Sequence, residues 1–433
     1  MSPKKSSTNW PMPLAEPEEV GFSSERLAQI CPSLQKFIDK QMVPNIITLV
    51  ARHGKVVHYE AQGYMDFASK KPATKDTIYR LWSNTKPITG TATMICVEDG
   101  LLNLDDPVSK YIPAFKNPMV RVLELTRRPE AGRPVMGMTP TVPADREITI
   151  RDCLRNTTGL TTAARAPIQY MTQFRDVLPK TGLLMGPERP SGGIREQVEA
   201  LAKLPLESQP GTRFEYQVGY PVVGTVLEIA TGKTLEEFYQ ERIFKPLGMK
   251  DSSFYLPKNK LDRFPTLYRP VLESGKWKLS IAEKPETSEK VTGSKTYFEA
   301  GGGAGGVLST AADYARFAQM LLNGGELDGV RILGRKTVQL MTSSHTADDV
   351  YPTMAGPAFG FGMGVGVYKG GAIPPIMRSI GTFGWGGAAG TTCFVDPKED
   401  LVCVCFTQVF MHQVMGDNTF QEDFERLVYQ SLI

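Results

Sequence analysis

The chain has 433 residues, 41% of them hydrophobic and 22% charged, the balance of an ordinary globular protein with room for two domains or one large composite domain. With 49 basic residues against 46 acidic ones the net charge is +3, and no basic cluster is interleaved with aromatics, so nucleic acid is not the expected partner. No apolar run reaches membrane-spanning length, no secretory pattern opens the chain, and Cys31, Cys96, Cys153, Cys393, Cys403 and Cys405 form no Cys-x-x-Cys pair; a cytoplasmic protein with reduced core thiols and no membrane partner is expected.

In chain order, the apolar spacing predicts a helix over residues 24–42, then strands over 46–52 and 55–62 joined by the hairpin signal His53-Gly54. A second helix is expected near Ser83, with Pro87 in its first turn, running to Gly100, and Pro107 suits the start of a short one. Residues 116–205 are irregular, with Pro- and Gly-bearing loops at 127–144 and 186–193 of the kind that shape a site or a lid. Helical patterns return at 220–231, 234–244 and 310–322. Strand-like stretches follow at 359–367, 390–396 and 401–408, and a last helix over 417–433 carries Phe420, Phe424, Leu427 and Val428, with Asp417 as its cap. Strands at both ends with helices between them imply one antiparallel sheet built from both ends: residues 1–82 and 296–433 as an α/β domain, 83–295 as a mainly helical inserted domain with long site-shaping loops.

Chemistry concentrates at Ser83-Asn84-Thr85-Lys86. Residues at i and i+3 share a helix face, so the Lys86 amine can approach the Ser83 hydroxyl, a poor nucleophile until a base activates it. Burial would lower the Lys86 pKa and fit it to handle protons. Ser-x-x-Lys also occurs at Ser2/Lys5 and Ser33/Lys36, a polar tail and an exposed helical face, so the pattern alone is a weak signal.

Two further elements complete a candidate site. In Pro210-Gly211-Thr212-Arg213-Phe214-Glu215-Tyr216 the turn fixes Tyr216 ahead of a helix; beside an ammonium its phenol is expected to have a lowered pKa and to exchange a proton with Ser83, whereas an isolated tyrosine is more often a core residue. Gly384-Trp385-Gly386-Gly387-Ala388-Ala389-Gly390 has too many glycines for an ordinary strand. It reads equally as a place where a ligand nears the backbone, pairing an N–H with that of Ser83 in an oxyanion hole, or as a turn without function. Gly232-Lys233-Thr234 and the run Gly301 to Gly306 lack the rest of a phosphate loop, no Gly-x-Ser-x-Gly or His-Glu-x-x-His occurs, and His53, His58, His345 and His412 have no metal-ligand spacing, so no cofactor and no metal are expected.

Taken in order, Ser83-Asn84-Thr85-Lys86, Tyr216 and Trp385-Gly386-Gly387 resemble the serine β-lactamase and penicillin-binding-protein superfamily, as do Glu98 to Val108, Ile148 to Leu160 and Ile243 to Met249. Asp152 and Asn156 stand where that family usually has histidines. Trp385-Gly386-Gly387 replaces its Lys-Thr-Gly, and Val218 its asparagine after the tyrosine; a literal Lys180-Thr181-Gly182 lies in the irregular region. These departures resemble family VIII carboxylesterases. The resemblance implies an α+β, β-lactamase/transpeptidase-like fold and a serine esterase with catalytic Ser83, Lys86 and Tyr216. It further implies an oxyanion hole from the N–H groups of Ser83 and Ala388, and a pocket at Trp385, Gly386 and Gly387 for a small-molecule ester. β-Lactamase, amidase or acyltransferase activity on the same scaffold is the enzymatic alternative, and a non-catalytic ligand-binding protein the alternative of another class.

Overall fold

The computed structural model describes residues 12–122, 140–160, 194–216, 218–292, 305–372, 376–416 and 419–433. Its centre is an eight-stranded antiparallel sheet drawn from both ends of the chain. We number its strands β1 (Asn45–Arg52), β2 (Lys55–Asp66), β3 (Lys71–Pro72), β4 (Phe359–Phe361), β5 (Gly366–Tyr368), β6 (Phe383–Gly387), β7 (Thr391–Asp396) and β8 (Leu401–Phe406). The spatial order is β4-β5-β6-β7-β8-β1-β2-β3, so the two ends meet where Ile47 of β1 faces Phe406 of β8.

Strands β1 and β8 read as continuous apolar runs because both of their faces are covered. Ile46 and Val50 of β1, with Leu401, Cys403 and Cys405 of β8, pack under helices α1 (Ile30–Asp39) and α5 (Phe420–Tyr429). Ile47, Leu49 and Ala51, with Val402, Val404 and Phe406, face the other layer, which holds α2 (Lys86–Glu98), α3 (Gly219–Thr231) and α4 (Ala311–Leu322). Alternate residues of one strand therefore feed two cores.

The predicted first helix is two pieces, Ser24–Leu27 and Ile30–Asp39. Pro32 cannot donate to a preceding turn, and restarting the helix places it where its missing N–H costs nothing. The stretch 359–367 likewise divides into β4 and β5. The expected cap Asp417, Lys180-Thr181-Gly182, Gly301 to Gly303 and most of the two long loops lie outside the described residues. Among the described residues no helix is long and apolar enough to cross a membrane.

Candidate active site

Tyr79–Arg80 pairs with Leu308–Ser309 and delivers the chain to a 3-10 turn, Trp82–Thr85, which runs into α2 at Lys86. The entry is forced. Trp82 adopts φ 50°, a left-handed conformation that costs a bulky residue about 1–3 kcal/mol. Its surroundings hold it there: the Leu81 N–H donates to Val307 O at 3.0 Å, and the Leu81 carbonyl accepts from Thr391 Oγ1 at 2.8 Å and from the Asn84 N–H at 3.1 Å. Ser83 stands half-buried at the next position, one turn before a fully buried Lys86.

Lys86 Nζ lies 3.0 Å from Ser83 Oγ, the contact expected from their spacing. Its amine sits over the rings of Tyr216 and Tyr220, at 4.7 and 5.0 Å from their centres. Burial drives the Lys86 pKa well below the ordinary lysine range, which favours the neutral amine relative to a lysine in water.

Tyr216 joins the same group through a hydrogen bond between its phenol and Ser83. Its second partner was not legible in the sequence: Trp385 Nε1 donates to the Tyr216 oxygen at 2.8 Å. The expected lowering of the phenol pKa is overturned. Burial pushes Tyr216 up to about 12, against the pull of the hydrogen bonds from Ser83 and Trp385. The expectation rested on an ammonium next to the phenol, but the burial that lifts the phenol also lowers the Lys86 pKa and disfavours that ammonium.

Trp385 is therefore more than an apolar wall. Its indole packs edge-on against Phe361, ring centres 4.9 Å apart, while presenting its N–H to the phenol. It lies in β6, an interior strand rather than a free edge, with Gly386 opposite Thr392 and Gly387 opposite Thr391. The close approach that makes Gly387 necessary is made by the protein itself: a Cβ there would stand 2.1 Å from Leu81 O and 2.3 Å from Thr391 Oγ1. Ala388 follows in the turn to β7, and this packing seats the turn beside the residues that lead into Ser83.

Asp152, one of the family departures, anchors the loop that carries Tyr216. It is fully buried at the third position of the helix Ile150–Leu154, in a capping box with Thr149. It accepts from Arg146 Nη1 at 2.5 Å, Arg155 Nη2 at 2.9 Å and Thr157 Oγ1 at 3.1 Å. Burial alone would raise its carboxyl; the bonds from Arg146, Thr149 and Arg155 hold it below the usual aspartate range. Next in the chain, Asn156 takes φ 59° and its carbonyl accepts the Glu215 N–H at 2.7 Å, immediately before Tyr216. An acid and two arginines fix the loop here, at a position where the resembled family usually has a histidine. Among the described residues no cluster of His, Cys, Asp or Glu is placed to hold a metal ion.

The fold is that of β-lactamases and transpeptidases, and within it Ser83, Lys86 and Tyr216 come together. The chain belongs to the beta-lactamase family, whose model matches residues 33–423, and is a family VIII esterase-like member of the serine β-lactamase and penicillin-binding-protein superfamily, and so a serine hydrolase. It is 31% identical over 386 residues to an uncharacterized protein of Mycobacterium tuberculosis, covering 87% of this chain and 88% of that one. Esterase EstB of Burkholderia gladioli is 27% identical over 382 residues, with 86% and 88% covered. Among solved structures, EstCE1, described as a hydrolase with promiscuous acyltransferase activity, superposes with a TM-score of 0.73 at 26% identity over 94% of this chain and 99% of its own.

Proposed function

We propose that the protein is a carboxylesterase that hydrolyses short- to medium-chain esters through an acyl-enzyme on Ser83. The observation that carries this reading is the approach of Lys86 Nζ to within 3.0 Å of Ser83 Oγ, with the Tyr216 phenol on the same hydroxyl. Ser83 Oγ attacks the ester carbonyl carbon and its proton passes to the neutral Lys86 amine. The N–H groups of Ser83 and Ala388 receive the tetrahedral oxygen. Tyr216 then gives its proton to the departing alkoxide and recovers one from Lys86, so that the alcohol leaves and an acyl-Ser83 ester remains. Water attacks that ester along the reverse route: its proton enters the Lys86–Tyr216 pair, Ser83 Oγ regains one, and the carboxylic acid departs. The two groups titrate as a coupled pair rather than separately.

Resemblance to Esterase EstB and EstCE1 supports ester over β-lactam substrates. So does Trp385-Gly386-Gly387, which leaves a β-lactam carboxylate without the lysine and threonine that would pair with it. Acyl transfer is the second reading, favoured by the description of EstCE1: an alcohol takes the place of water in the second half-reaction. A cytoplasmic location belongs to the proposal, in keeping with six free cysteines. Ser83→Ala is expected to abolish turnover of p-nitrophenyl butyrate, and the mass of the wild type to rise by one butyryl group during turnover. Undiminished activity in Ser83→Ala refutes the mechanism, and failure of acyl and fluorophosphonate probes to label Ser83 favours a non-catalytic ligand-binding protein.

A further inference from the structure

The oxyanion hole of this reading is assembled from two distant pieces of chain, the turn before α2 and the hairpin after β6, which meet where Thr391 Oγ1 donates to Leu81 O at 2.8 Å. One segment touches both. After β8 the chain runs alongside the hairpin: the N–H groups of Thr407, Val409 and Met411 donate to the carbonyls of Gly390, Ala389 and Ala388 at 3.2, 2.9 and 2.6 Å. The Phe410 N–H points the other way, to Tyr268 O at 2.8 Å, which ties the segment to the strand Leu267–Glu273. Gln421 Nε2 on α5 adds a bond to Gly390 O at 3.2 Å. Met411 takes φ 58° to end this run, and the hairpin is thereby tied down on its outer side.

The same segment reaches the nucleophile. The half-buried Phe410 ring lies against the Trp82 ring, centres 4.8 Å apart and planes 36° from parallel. Trp82 is the residue held at φ 50°, and on its backbone side Gly305 packs so closely that a Cβ there would stand 3.1 Å from the Trp82 carbonyl carbon. The strained residue is thus clamped between Gly305 and Phe410. The Trp82 Nε1 atom is buried and takes no hydrogen-bond partner among the described residues, so ring packing rather than polar anchoring fixes the indole.

We infer that Phe410, with the backbone of Thr407 to Met411, is a positioning element for the oxyanion hole: it clamps Trp82 on one side and the Ala388 hairpin on the other, and so sets the spacing of the two N–H donors. Phe410 touches no reacting atom in this scheme. It acts through Trp82 and Ala388, and the inference rests on the esterase mechanism proposed above. A hydrogen-bond donor displaced from a developing oxyanion costs rate far more than substrate binding.

The test measures kcat per active site, titrated to completion with a fluorophosphonate, together with KM for p-nitrophenyl butyrate and Ki for phenylboronic acid, whose tetrahedral adduct mimics the intermediate. Phe410→Ala is expected to lower kcat by about 10- to 100-fold with KM within about threefold, and to weaken the boronate in parallel. Phe410→Tyr, which keeps the ring face, is expected to recover most of that loss. Should the alanine variant fail to fold, Phe410→Leu keeps the bulk without the flat face and gives the same pattern. A titrated kcat within about threefold of wild type in Phe410→Ala, or equal losses in the alanine and tyrosine variants, overturns the positioning role. A wild type that neither labels nor turns over refutes the esterase mechanism itself, whereas a labelled, active wild type beside an unaffected Phe410→Ala refutes this inference alone.

Discussion

Replacing Trp385 by Phe isolates the contact that ties the sheet to the proton-handling phenol. The benzyl ring keeps most of the packing against Phe361 and Tyr216, whose ring centres lie 4.9 and 5.7 Å from that of Trp385, and removes only the N–H that reaches the phenol oxygen at 2.8 Å. A neutral hydrogen bond of this kind stabilises by about 1 kcal/mol net, and a bond to a charged acceptor by about 1.5–3 kcal/mol. The phenol oxygen carries negative charge only while its proton is in transit to the leaving alcohol, so the larger figure falls on the barrier and the smaller on the resting enzyme. The difference, about 0.5–2 kcal/mol, is what kcat reads: at roughly 1.4 kcal/mol per tenfold, kcat for p-nitrophenyl butyrate is expected to fall by about 2- to 30-fold with KM nearly unchanged. The direction of the pH effect follows as well. The indole N–H pulls the phenol down from where burial would place it, so the phenol of the variant titrates higher than that of the wild type, and a rate limb set by its ionisation moves to higher pH. Steady-state kinetics across pH with a thermal melt as a control checks both. A kcat within about twofold of wild type, or a loss carried entirely by KM, refutes the assignment of Tyr216 as the group whose charge develops during turnover.

Gly387→Ala places a methyl 2.1 Å from Leu81 O, so the hairpin must move; kcat is expected to fall at least about 100-fold and the melting temperature to fall with it, as read by kinetics and calorimetry. Lys86→Arg leaves a cation that cannot lose its proton at working pH and is expected to be inactive, whereas the wild-type rate should rise with pH through a limb lying well below the ordinary lysine range; an active arginine variant excludes Lys86 as the base. Asp152→Asn leaves two arginines facing a neutral amide and is expected to destabilise the fold by about 3–5 kcal/mol in urea titrations near neutral pH. The Asp152 carboxyl is held below its ordinary 3.8, so its contribution is present above that value and lost as pH falls through the lower, folded-state pKa. Wild type and variant should therefore converge in acid; a gap that persists below about pH 2 refutes the ion-pair account.

What could be read from the sequence was what is local. The Ser83–Lys86 pair depends only on helical spacing, and β1 and β8 declare themselves as strands because both of their faces are buried. The missed features come from groups brought together by the tertiary fold. The Trp385–Tyr216 bond joins residues 169 positions apart, and no local pattern marks an indole as a donor to a phenol. The left-handed Trp82 runs against its own preference, since a tryptophan has no side-chain device to favour that conformation, and it stands because Gly305 and Phe410 close around it. The phenol pKa differs from expectation for a related reason: sequence supplies the charge a lysine carries in water, and only burial shows how far that charge is disfavoured.

Because β1 pairs with β8, residue 47 waits for residue 406 before the middle of the molecule can close. During synthesis the ribosome has released almost the whole polypeptide before that partnership exists. Contacts of such long sequence separation are slow to form. The Phe410 clamp lies beyond even that last strand, so the segment inferred to align the two amide donors joins the molecule after the sheet's closing partner.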